Sequence, residues 1–290
     1  MHWKDPRLAF DPAETGYDQL YYQGDYEFSE VFNGWWPQVF LANEAGRFDR
    51  EGVMLRITPE GDVYYTEEID AIAKSSLALA RYPFDEQQLV AIFEVLGLDK
   101  NQVVLRADPG TSGIWEDEHH QVRVPQWGPP QLSTSVVEYA PVYLDGGDEH
   151  VTAFRMQVDI KRDSLYTLRL VALPVVIFVF MSWSVFWMER SSLGDRMDVS
   201  FIGILTVVAY QIMFSASLPK ISYITVLMSF MIISFLIMCC SIVINLRVAA
   251  LDNTGRKAEG DRVDRLCRIF FPLAYVLLTV SVGGYIYRVG

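Results

Sequence analysis

The chain has 290 residues and a formal net charge of −12, and this charge is divided unevenly along it. Residues 1–167 carry 29 Asp and Glu against 13 Lys and Arg, whereas the remaining residues carry 7 against 11 and are mostly apolar. The acidic balance disfavours nucleic-acid binding, and the first 167 residues contain no cysteine, so disulfides cannot stabilise them. The totals therefore predict an acidic domain in water followed by a membrane domain.

The N-terminal residues 1–164 have the pattern of short strands separated by turns. Turn-forming residues at 59–62, 108–110 and 128–130 separate runs that are rich in β-branched and aromatic side chains. Strands do not alternate with helical patterns, so an α/β enzyme fold is disfavoured and an all-β immunoglobulin-like sandwich is predicted. The runs are VMLRIT, DVYYTEE, QLVAIFEVL, QVVLR, STSVVEYAPVYL and TAFRMQVDIKR.

Four apolar runs occupy residues 165–290 and predict a four-helix transmembrane domain. They lie at about 168–187, 199–218, 223–246 and 269–287. Each is close to the roughly 20 residues that a helix needs to cross a bilayer. Four crossings put both ends of the chain on the same side of the membrane.

The connections between these runs differ in charge, which predicts their orientation. The connection after the second run contains only Lys220, whereas the one after the third, at about 247–268, contains many basic residues. Basic connections face the cytoplasm. We therefore expect a multi-pass protein of the cell (inner) membrane whose N-terminal domain and C-terminus are extracellular or periplasmic. The basic residues are Arg247, Arg256, Lys257, Arg262, Arg265 and Arg268.

One face of the second run begins with acidic residues and continues with apolar ones. Its positions recur at steps of four and three, which keeps them within a wedge of roughly 80° on a helix. An acid followed by an apolar constriction is typical of an ion path with a gate. Two plainer interpretations stay open: the acids only offset the helix dipole, or the stripe only packs in a bundle. The stripe is Asp198, Ile202, Leu205, Ala209, Ile212 and Ala216, with Asp195 just before it.

Several stretches resemble the pentameric ligand-gated ion channels, the Cys-loop receptor superfamily. The most specific is YPFDEQ at 82–87, which is similar to the F-P-F-D-x-Q of their signature loop. WKDPRLAF at 3–10 resembles their W-x-D-x-R-L-x-F strand, and GDR at 194–196 resembles the G-E-K before their pore helix. Further matches are Trp35, Trp36 and Pro37 with Asn43, residues 57–65, Arg162 with Tyr166, Pro174, and Leu218 with Pro219 and Lys220.

Departures from the animal receptors indicate the prokaryotic branch of this superfamily. Ser75 and Leu89 occupy the positions of the paired cysteines, and the connection between the third and fourth spans is short. Family members also have one strand and half of another upstream of Trp3. We therefore expect the numbering to begin inside a longer precursor, so that the first strand is missing.

The resemblance implies a homopentamer around a central pore, with the second span of each subunit as the wall. Five Asp195 and five Asp198 side chains would form acidic rings at the cytoplasmic mouth, which favour monovalent cations over anions. Arg196 lies about 160° around the helix from the centre of the stripe and is expected behind the wall. Leu205 is the expected gate, because a narrow apolar ring excludes hydrated ions.

Other functions fit the sequence less well. An anion-selective member of the same family, or a membrane-anchored binding module that does not conduct, stays open as an alternative. A transporter is disfavoured because the four spans show no internal repeat. The sequence has no nucleophile with a base, no phosphate-binding loop and no other catalytic motif, so we expect neither an enzyme nor a cofactor.

The resemblance also implies that the signature loop transmits gating to the membrane helices. We expect an ion pair between Asp85 and Arg162 that clamps the loop onto the last strand. A purely structural salt bridge is the competing interpretation. The expected coupling residues are Tyr82, Pro83, Phe84 and Asp85 of the loop, Arg162 at the base of the strand, and Pro219 and Lys220 after the pore helix.

In this family small-molecule agonists bind between neighbouring outer domains, in a box of aromatic side chains. The candidates here are Tyr64 and Tyr65 on one strand and Tyr139 and Tyr143 near the capping loop. Leu96 stands where amine receptors have an aromatic residue, and aromatic side chains on strands also serve ordinary packing.

Protons and divalent cations are further expected modulators. Carboxylates that are gathered together in a pentamer resist ionisation, so that their charge responds to acid. Glu116, His119 and His120 are weak candidates for a metal site, and a solvated loop is the competing interpretation.

Overall fold

The computed structural model describes residues 1–108, 110, 112–114, 124–141, 150–188, 193–217 and 221–289. The chain divides into two compact units. The first, here called the strand unit, comprises Met1–Ser76, Gln88–Gln121 and Gln131–Asp159. The second, here called the helix unit, comprises Leu77–Gln87, Val122–Pro130 and Ile160–Gly290.

The strands confirm the predicted all-β class of the N-terminal region. In chain order they are β1 (His2–Lys4), β2 (Leu20–Gln23), β3 (Val39–Leu41), β4 (Glu44–Ile57), β5 (Asp62–Ala73), β6 (Glu86–Val95), β7 (Gln131–Tyr139) and β8 (Val151–Lys161). They form two antiparallel sheets with the orders β1-β5-β4-β2 and β3-β6-β8-β7.

A tight turn joins β4 to β5, the longest pairing of the first sheet. The Thr58 N–H donates to the Asp62 carbonyl at 3.0 Å, and the Gly61 N–H donates to the Thr58 carbonyl at 2.9 Å. Gly61 has a φ of +79°, and a Cβ there would approach the Asp5 carbonyl oxygen to 2.5 Å. Glycine is therefore required at this position, and the turn expected at 59–62 is present.

Alternate positions of β4 and β5 build the core of the first sheet. Leu55, Ile57, Val63 and Tyr65 are at most 2% exposed and belong to one apolar cluster. Tyr64, which lies between two of them in the sequence, is 37% exposed. This is the period of two that a half-buried strand requires.

One predicted strand is wrong. The run QVVLR at 102–106 begins in a turn, where the Gln102 and Val103 N–H groups donate to the Asp99 carbonyl, and it belongs to no strand of the described sheets. Its Leu105 N–H instead donates to the Thr152 hydroxyl at 2.9 Å. A side-chain acceptor thus takes the place of a strand carbonyl, which β-propensity alone does not reveal.

Short helical turns also interrupt the N-terminal strands, where the sequence pattern had indicated strands and turns only. They include Pro6–Leu8, Pro12–Thr15 and Gly24–Tyr26. Aspartates begin the first two: the Asp5 carboxylate accepts the Arg7 N–H at 3.0 Å, and Asp11 accepts the Ala13 N–H at 2.8 Å. These are ordinary N-cap contacts next to a proline.

The helix unit contains four helices that are long and apolar enough to cross a membrane, as predicted. They are the first (Leu165–Trp187), second (Gly194–Ser215), third (Val226–Asn253) and fourth (Lys257–Val289) membrane helices. The second belongs to a slightly longer helix, Leu193–Ser217.

The helices extend further than the apolar runs suggested. The third continues past residue 246, and the fourth begins at Lys257, so that most of the predicted connection at 247–268 is helical. Hydropathy marks only the part of a helix that lies in lipid, whereas its hydrogen bonds continue through the polar residues beyond. Gly255, with a φ of +79°, follows the third helix and allows the chain to turn.

Candidate functional site

The predicted stripe of the second membrane helix lies on an exposed side in the single chain. Ile202, Leu205 and Ile212 are 56%, 68% and 65% exposed. Large apolar side chains in this position are available to line a pathway or to contact another subunit. The remaining described members of the stripe, Asp195, Asp198 and Ala209, are exposed as well.

The opposite side of this helix packs against its neighbours. Ser200 and Val207 are fully buried, and Phe214 is 7% exposed. Arg196 is 1% exposed, so it lies behind the stripe, where its helical angle predicts it. The helix therefore presents its acids and its guanidinium on different sides.

Exposure alone does not distinguish the stripe from a lipid-facing surface. Leu266 of the fourth helix is 69% exposed, as much as Leu205. The stripe begins with two acids, Asp195 and Asp198, and ionised carboxylates are unfavourable in hydrocarbon. The fourth helix has one exposed acid on the side of Leu266, Glu259, and this acid is paired with Arg256. A face that starts with two acids is suited to water.

Asp85 and Arg162 form the predicted ion pair, and it is buried. Arg162 Nε lies 2.8 Å from Asp85 Oδ1, and Arg162 Nη2 lies 3.3 Å from Asp85 Oδ2. The side chains of Asp85 and Arg162 are 0% and 14% exposed. Gln87 donates to the same carboxylate, and the guanidinium lies 4.1 Å from the Trp127 ring and 4.8 Å from the Tyr82 ring. Both charges are therefore well partnered.

Carbonyl groups of the loop complete the start of the third membrane helix. The Val226 N–H donates to the Ala80 carbonyl and the Leu227 N–H to the Tyr82 carbonyl, both at 3.1 Å. The buried Thr225 is the N-cap, and its hydroxyl accepts a third N–H at 3.1 Å. The first N–H groups of a helix have no partner within it, so the loop and the cap together satisfy this terminus.

Tyr82 joins the loop to the first and second helices. Its hydroxyl lies 3.3 Å from Thr167 Oγ1, and its ring centroid lies 5.4 Å from that of Phe214. Tyr82 and Pro83 are buried, whereas Phe84 is 42% exposed. The loop thus contacts three membrane helices within the helix unit.

The sequence did not reveal how the loop contacts the third helix. Thr225 before an apolar run was an available N-cap signal. The carbonyls of Ala80 and Tyr82 gave none, because backbone acceptors are the same at every residue.

A second ion pair beside the buried one is exposed. Lys161 Nζ lies 2.8 Å from Glu86 Oε1, with side chains that are 75% and 67% exposed. The hydrogen bond from Lys161 lowers the pKa of the Glu86 carboxyl, and the same contact raises the pKa of the Lys161 ammonium group. The exposed pair of Glu86 and Lys161 can therefore be compared with the buried pair of Asp85 and Arg162.

Tyr64 and Tyr65, two of the predicted ligand residues, have opposite surroundings. Tyr64 is at the surface, where its ring stacks on His2 at 4.5 Å and lies 4.2 Å from the Arg56 guanidinium. Tyr65 is 2% exposed, and burial raises the pKa of its hydroxyl. Because neighbouring strand residues point to opposite faces, the structure does not bring the two rings to one surface. Of these two residues, only Tyr64 is at the surface and available to contact a ligand.

Tyr139, another predicted ligand residue, is hydrogen-bonded to a buried carboxylate. Its hydroxyl donates to Glu94 Oε2 at 2.5 Å, and Glu94 is 1% exposed. The ring is half-buried at the end of β7.

Other predicted site residues lie outside the described part of the chain. Within the described ranges, no group of three or more His, Cys, Asp or Glu is arranged to hold a metal ion. The residues outside are Glu116, His119, His120, Tyr143, Pro219 and Lys220, and the side chain of Ala216 is likewise not described.

Comparison with known proteins gives matches along almost the whole chain. Residues 1–163 match the neurotransmitter-gated ion-channel ligand binding domain, and residues 171–259 match the neurotransmitter-gated ion-channel transmembrane region. A proton-gated ion channel of Gloeobacter violaceus is 26% identical over 283 residues, covering 98% of this chain and 74% of that protein.

Subunits of mammalian receptors match over shorter parts of their length. The human gamma-aminobutyric acid receptor subunit rho-2 is 24% identical over 281 residues, covering 93% of this chain and 56% of that subunit. The rat subunit rho-3 is 23% identical over 248 residues, covering 83% and 50%. The chain thus spans about half the length of these receptor subunits.

Proposed function

Since this chain belongs to the neurotransmitter-gated ion-channel family, we propose that it forms a cation-selective homopentameric channel whose pore is lined by the second membrane helix. Proteins of this family are ligand-gated ion channels, not enzymes. The observation that carries the proposal is the exposed stripe that begins with Asp195 and Asp198 and continues through Leu205.

Cation selectivity follows from the charge that faces the pathway. Five copies of Asp195 and Asp198 place two rings of carboxylates at one mouth of the pore, which attract cations and repel anions. The nearest basic side chain in the helix, Arg196, is buried on the other side and contributes little to the field in the pathway.

We assign the gate to Leu205, with apolar stripe residues on either side. When the five helices lie close, the ring offers a hydrated ion no polar partners, so that the ion cannot pass. The flanking positions are Ile202 toward the acids and Ala209, Ile212 and Ala216 toward the other end.

Coupling is assigned to the loop that holds Asp85. The loop leads directly into β6, which begins at Glu86, and Arg162 directly follows β8, which ends at Lys161. A rearrangement of these strands therefore reaches the buried ion pair through the chain itself. The loop carbonyls and Tyr82 pass it on to the membrane helices. Pro83, Phe84, Pro219 and Lys220 complete the proposed coupling set.

Residues 1–164 are proposed as the ligand-binding domain and residues 165–290 as the membrane domain. The stimulus is proposed to be a small molecule bound near Tyr64 and Tyr139, or protons or divalent cations. The likeness to a channel named as proton-gated supports testing acid first. The basic connection after the third helix supports the orientation with that end in the cytoplasm, in a cell (inner) membrane.

The reversal potential of the current tests this proposal. The purified chain is reconstituted into liposomes or a planar bilayer under a NaCl gradient, while pH, Ca²⁺ and small amines are varied. A reversal potential that follows Na⁺ supports the cation channel. One that follows Cl⁻ indicates the anion-selective alternative, and the absence of any current indicates a binding module that does not conduct.

A further inference from the structure

Two oppositely charged side chains are buried among the membrane helices beside the start of the stripe. Arg196 Nη2 of the second helix lies 3.4 Å from Asp264 Oδ2 of the fourth, and the side chains are 2% and 7% exposed. Arg196 Nε also donates to the Val185 carbonyl at 3.0 Å, near the end of the first helix. One guanidinium therefore joins three helices.

The position of Arg196 in the sequence makes its burial important. It directly follows Asp195 and lies two residues before Asp198, and both acids are exposed. A guanidinium is charged at every relevant pH and binds carboxylates in a bidentate way. If the side chain turned toward the acids, it would cancel much of the negative charge at the mouth.

We propose that Asp264 is a positioning residue for ion selectivity: as the buried counter-charge, it holds Arg196 behind the pore wall and keeps the acidic stripe unneutralised. An arginine without a counter-charge is unfavourable among membrane helices. Its long side chain would then be attracted to the exposed carboxylates of Asp195 and Asp198, one and two residues away. This inference rests on the proposed cation pore and adds a determinant that lies outside its wall.

The surroundings of Asp264 agree with this role. Leu266, Ile269 and Phe270 of the same helix are 69%, 67% and 68% exposed and suit contact with lipid. Asp264 instead shares the buried side of the helix with Cys267. Asp264 has further interactions besides the pair with Arg196. A test must therefore separate the effect of the pair from that of Asp264 alone.

A double-mutant cycle read out by selectivity makes this separation. In Asp264→Asn the permeability ratio of Na⁺ to Cl⁻ is expected to fall about tenfold, because the released guanidinium removes a potential of a few kT from the mouth. Asp264→Glu is expected to keep a ratio close to that of the parent chain. In an Arg196→Gln background, Asp264→Asn is expected to leave the ratio unchanged.

Arg268 offers a matched control at the same end of the bundle. Its Nε donates to the Phe186 carbonyl at 3.1 Å, and its guanidinium lies 5.4 Å from the Trp187 ring. It thus joins the fourth helix to the first, as Asp264 does through Arg196, and both of these contacts are made with the first helix. Arg268→Gln is expected to lower the melting temperature without changing the permeability ratio.

Two results would overturn the proposal: an unchanged ratio in Asp264→Asn, or an equal fall in the presence and absence of Arg196. If Asp264→Asn does not assemble, Arg196→Lys decides. A lysine keeps the charge but cannot reach both the carbonyl and the carboxylate with one planar group. The permeability ratio is therefore expected to fall in Arg196→Lys, by less than the fall expected for Asp264→Asn. An unchanged ratio counts against the proposal. A parent channel that prefers Cl⁻ would reject the cation pore, whereas the difference between parent and variant judges Asp264 independently.

Discussion

Leu205 allows the proposed gate to be separated from ordinary lipid contact, because the chain contains a matched leucine. Leu205 is 68% exposed and Leu266, in the fourth helix, is 69% exposed. Leu205→Ala is expected to produce current without a stimulus, or to lower the stimulus needed, since a smaller apolar ring excludes water less well. Leu266→Ala is expected to change neither. Equal behaviour of the two variants in macroscopic recordings would reject the gate.

The ion pair of Asp85 and Arg162 is expected to act as one unit. With side chains 0% and 14% exposed, removing either partner leaves a buried charge and costs about 3–5 kcal/mol of stability. Asp85→Ala and Arg162→Ala are each expected to shift activation and lower the melting temperature. The double variant is expected to have a melting temperature and an activation shift no worse than those of the more strongly affected single variant. Independent, additive effects would contradict the clamp.

The neighbouring pair of Glu86 and Lys161 predicts a pH effect of known sign. Because the hydrogen bond from Lys161 lowers the pKa of Glu86, the pair contributes at neutral pH and is lost only as the pH falls through that lowered value. Current that changes between about pH 5 and 7 therefore does not depend on Glu86. Glu86→Gln is expected to leave this pH dependence unchanged, and a clear shift of its midpoint would show that the pair takes part.

At the scale of the elements, the start of the third helix connects the loop to the membrane domain. Thr225 is fully buried, and its hydroxyl accepts the Met228 N–H at 3.1 Å. Thr225→Val keeps the shape but removes the acceptor, which is expected to cost about 1 kcal/mol. Thr225→Ser keeps the acceptor and serves as the control. Thermal unfolding of the purified variants measures both, and equal melting temperatures would exclude a role for the cap.

Periodicity was sufficient to predict the faces of the second helix. The spacing of Asp198 and Leu205 put them on one side and Arg196 on the other, and the structure has this arrangement. The angle per residue is a local property, so sequence alone determines it. The partner of Arg196 could not be predicted in this way, because Asp264 lies 68 residues away and belongs to no shared pattern.

Element boundaries and exceptions to propensity were predicted less well. The run at 102–106 has the composition of a strand, but its Leu105 N–H is bonded to a side chain of β8. Residues 247–253 are too polar for a membrane interior, but they extend the third helix. In both cases hydrogen bonding with other parts of the chain, or along the helix, outweighs the local signal. The different burial of Tyr64 and Tyr65 follows from the alternation of side chains along a strand, and it could be predicted once β5 was assigned.

At the scale of the whole molecule, the stripe can act as a pore wall only if several chains share one conduit. In the single chain, apolar residues of the stripe are as exposed as those of the fourth helix, so both surfaces must be covered by something outside the chain. Lipid suits the side of the fourth helix that carries Leu266, Ile269 and Phe270, where the exposed acid Glu259, seven residues before Leu266, is paired with Arg256. Water and symmetry-related copies suit the stripe, which two carboxylates precede.

Cysteine accessibility along the second helix tests this central claim most directly. The native Cys239, Cys240 and Cys267 are first replaced by serine or alanine. Single cysteines are then introduced at Asp198, Leu205 and Ile212, and at the buried Ser200 and Val207 as controls. A water-soluble, charged thiol reagent is expected to reduce the current of the first three variants and to spare the two controls. Modification of the controls alone, or no effect at the three stripe positions, would contradict a pore lined by this helix.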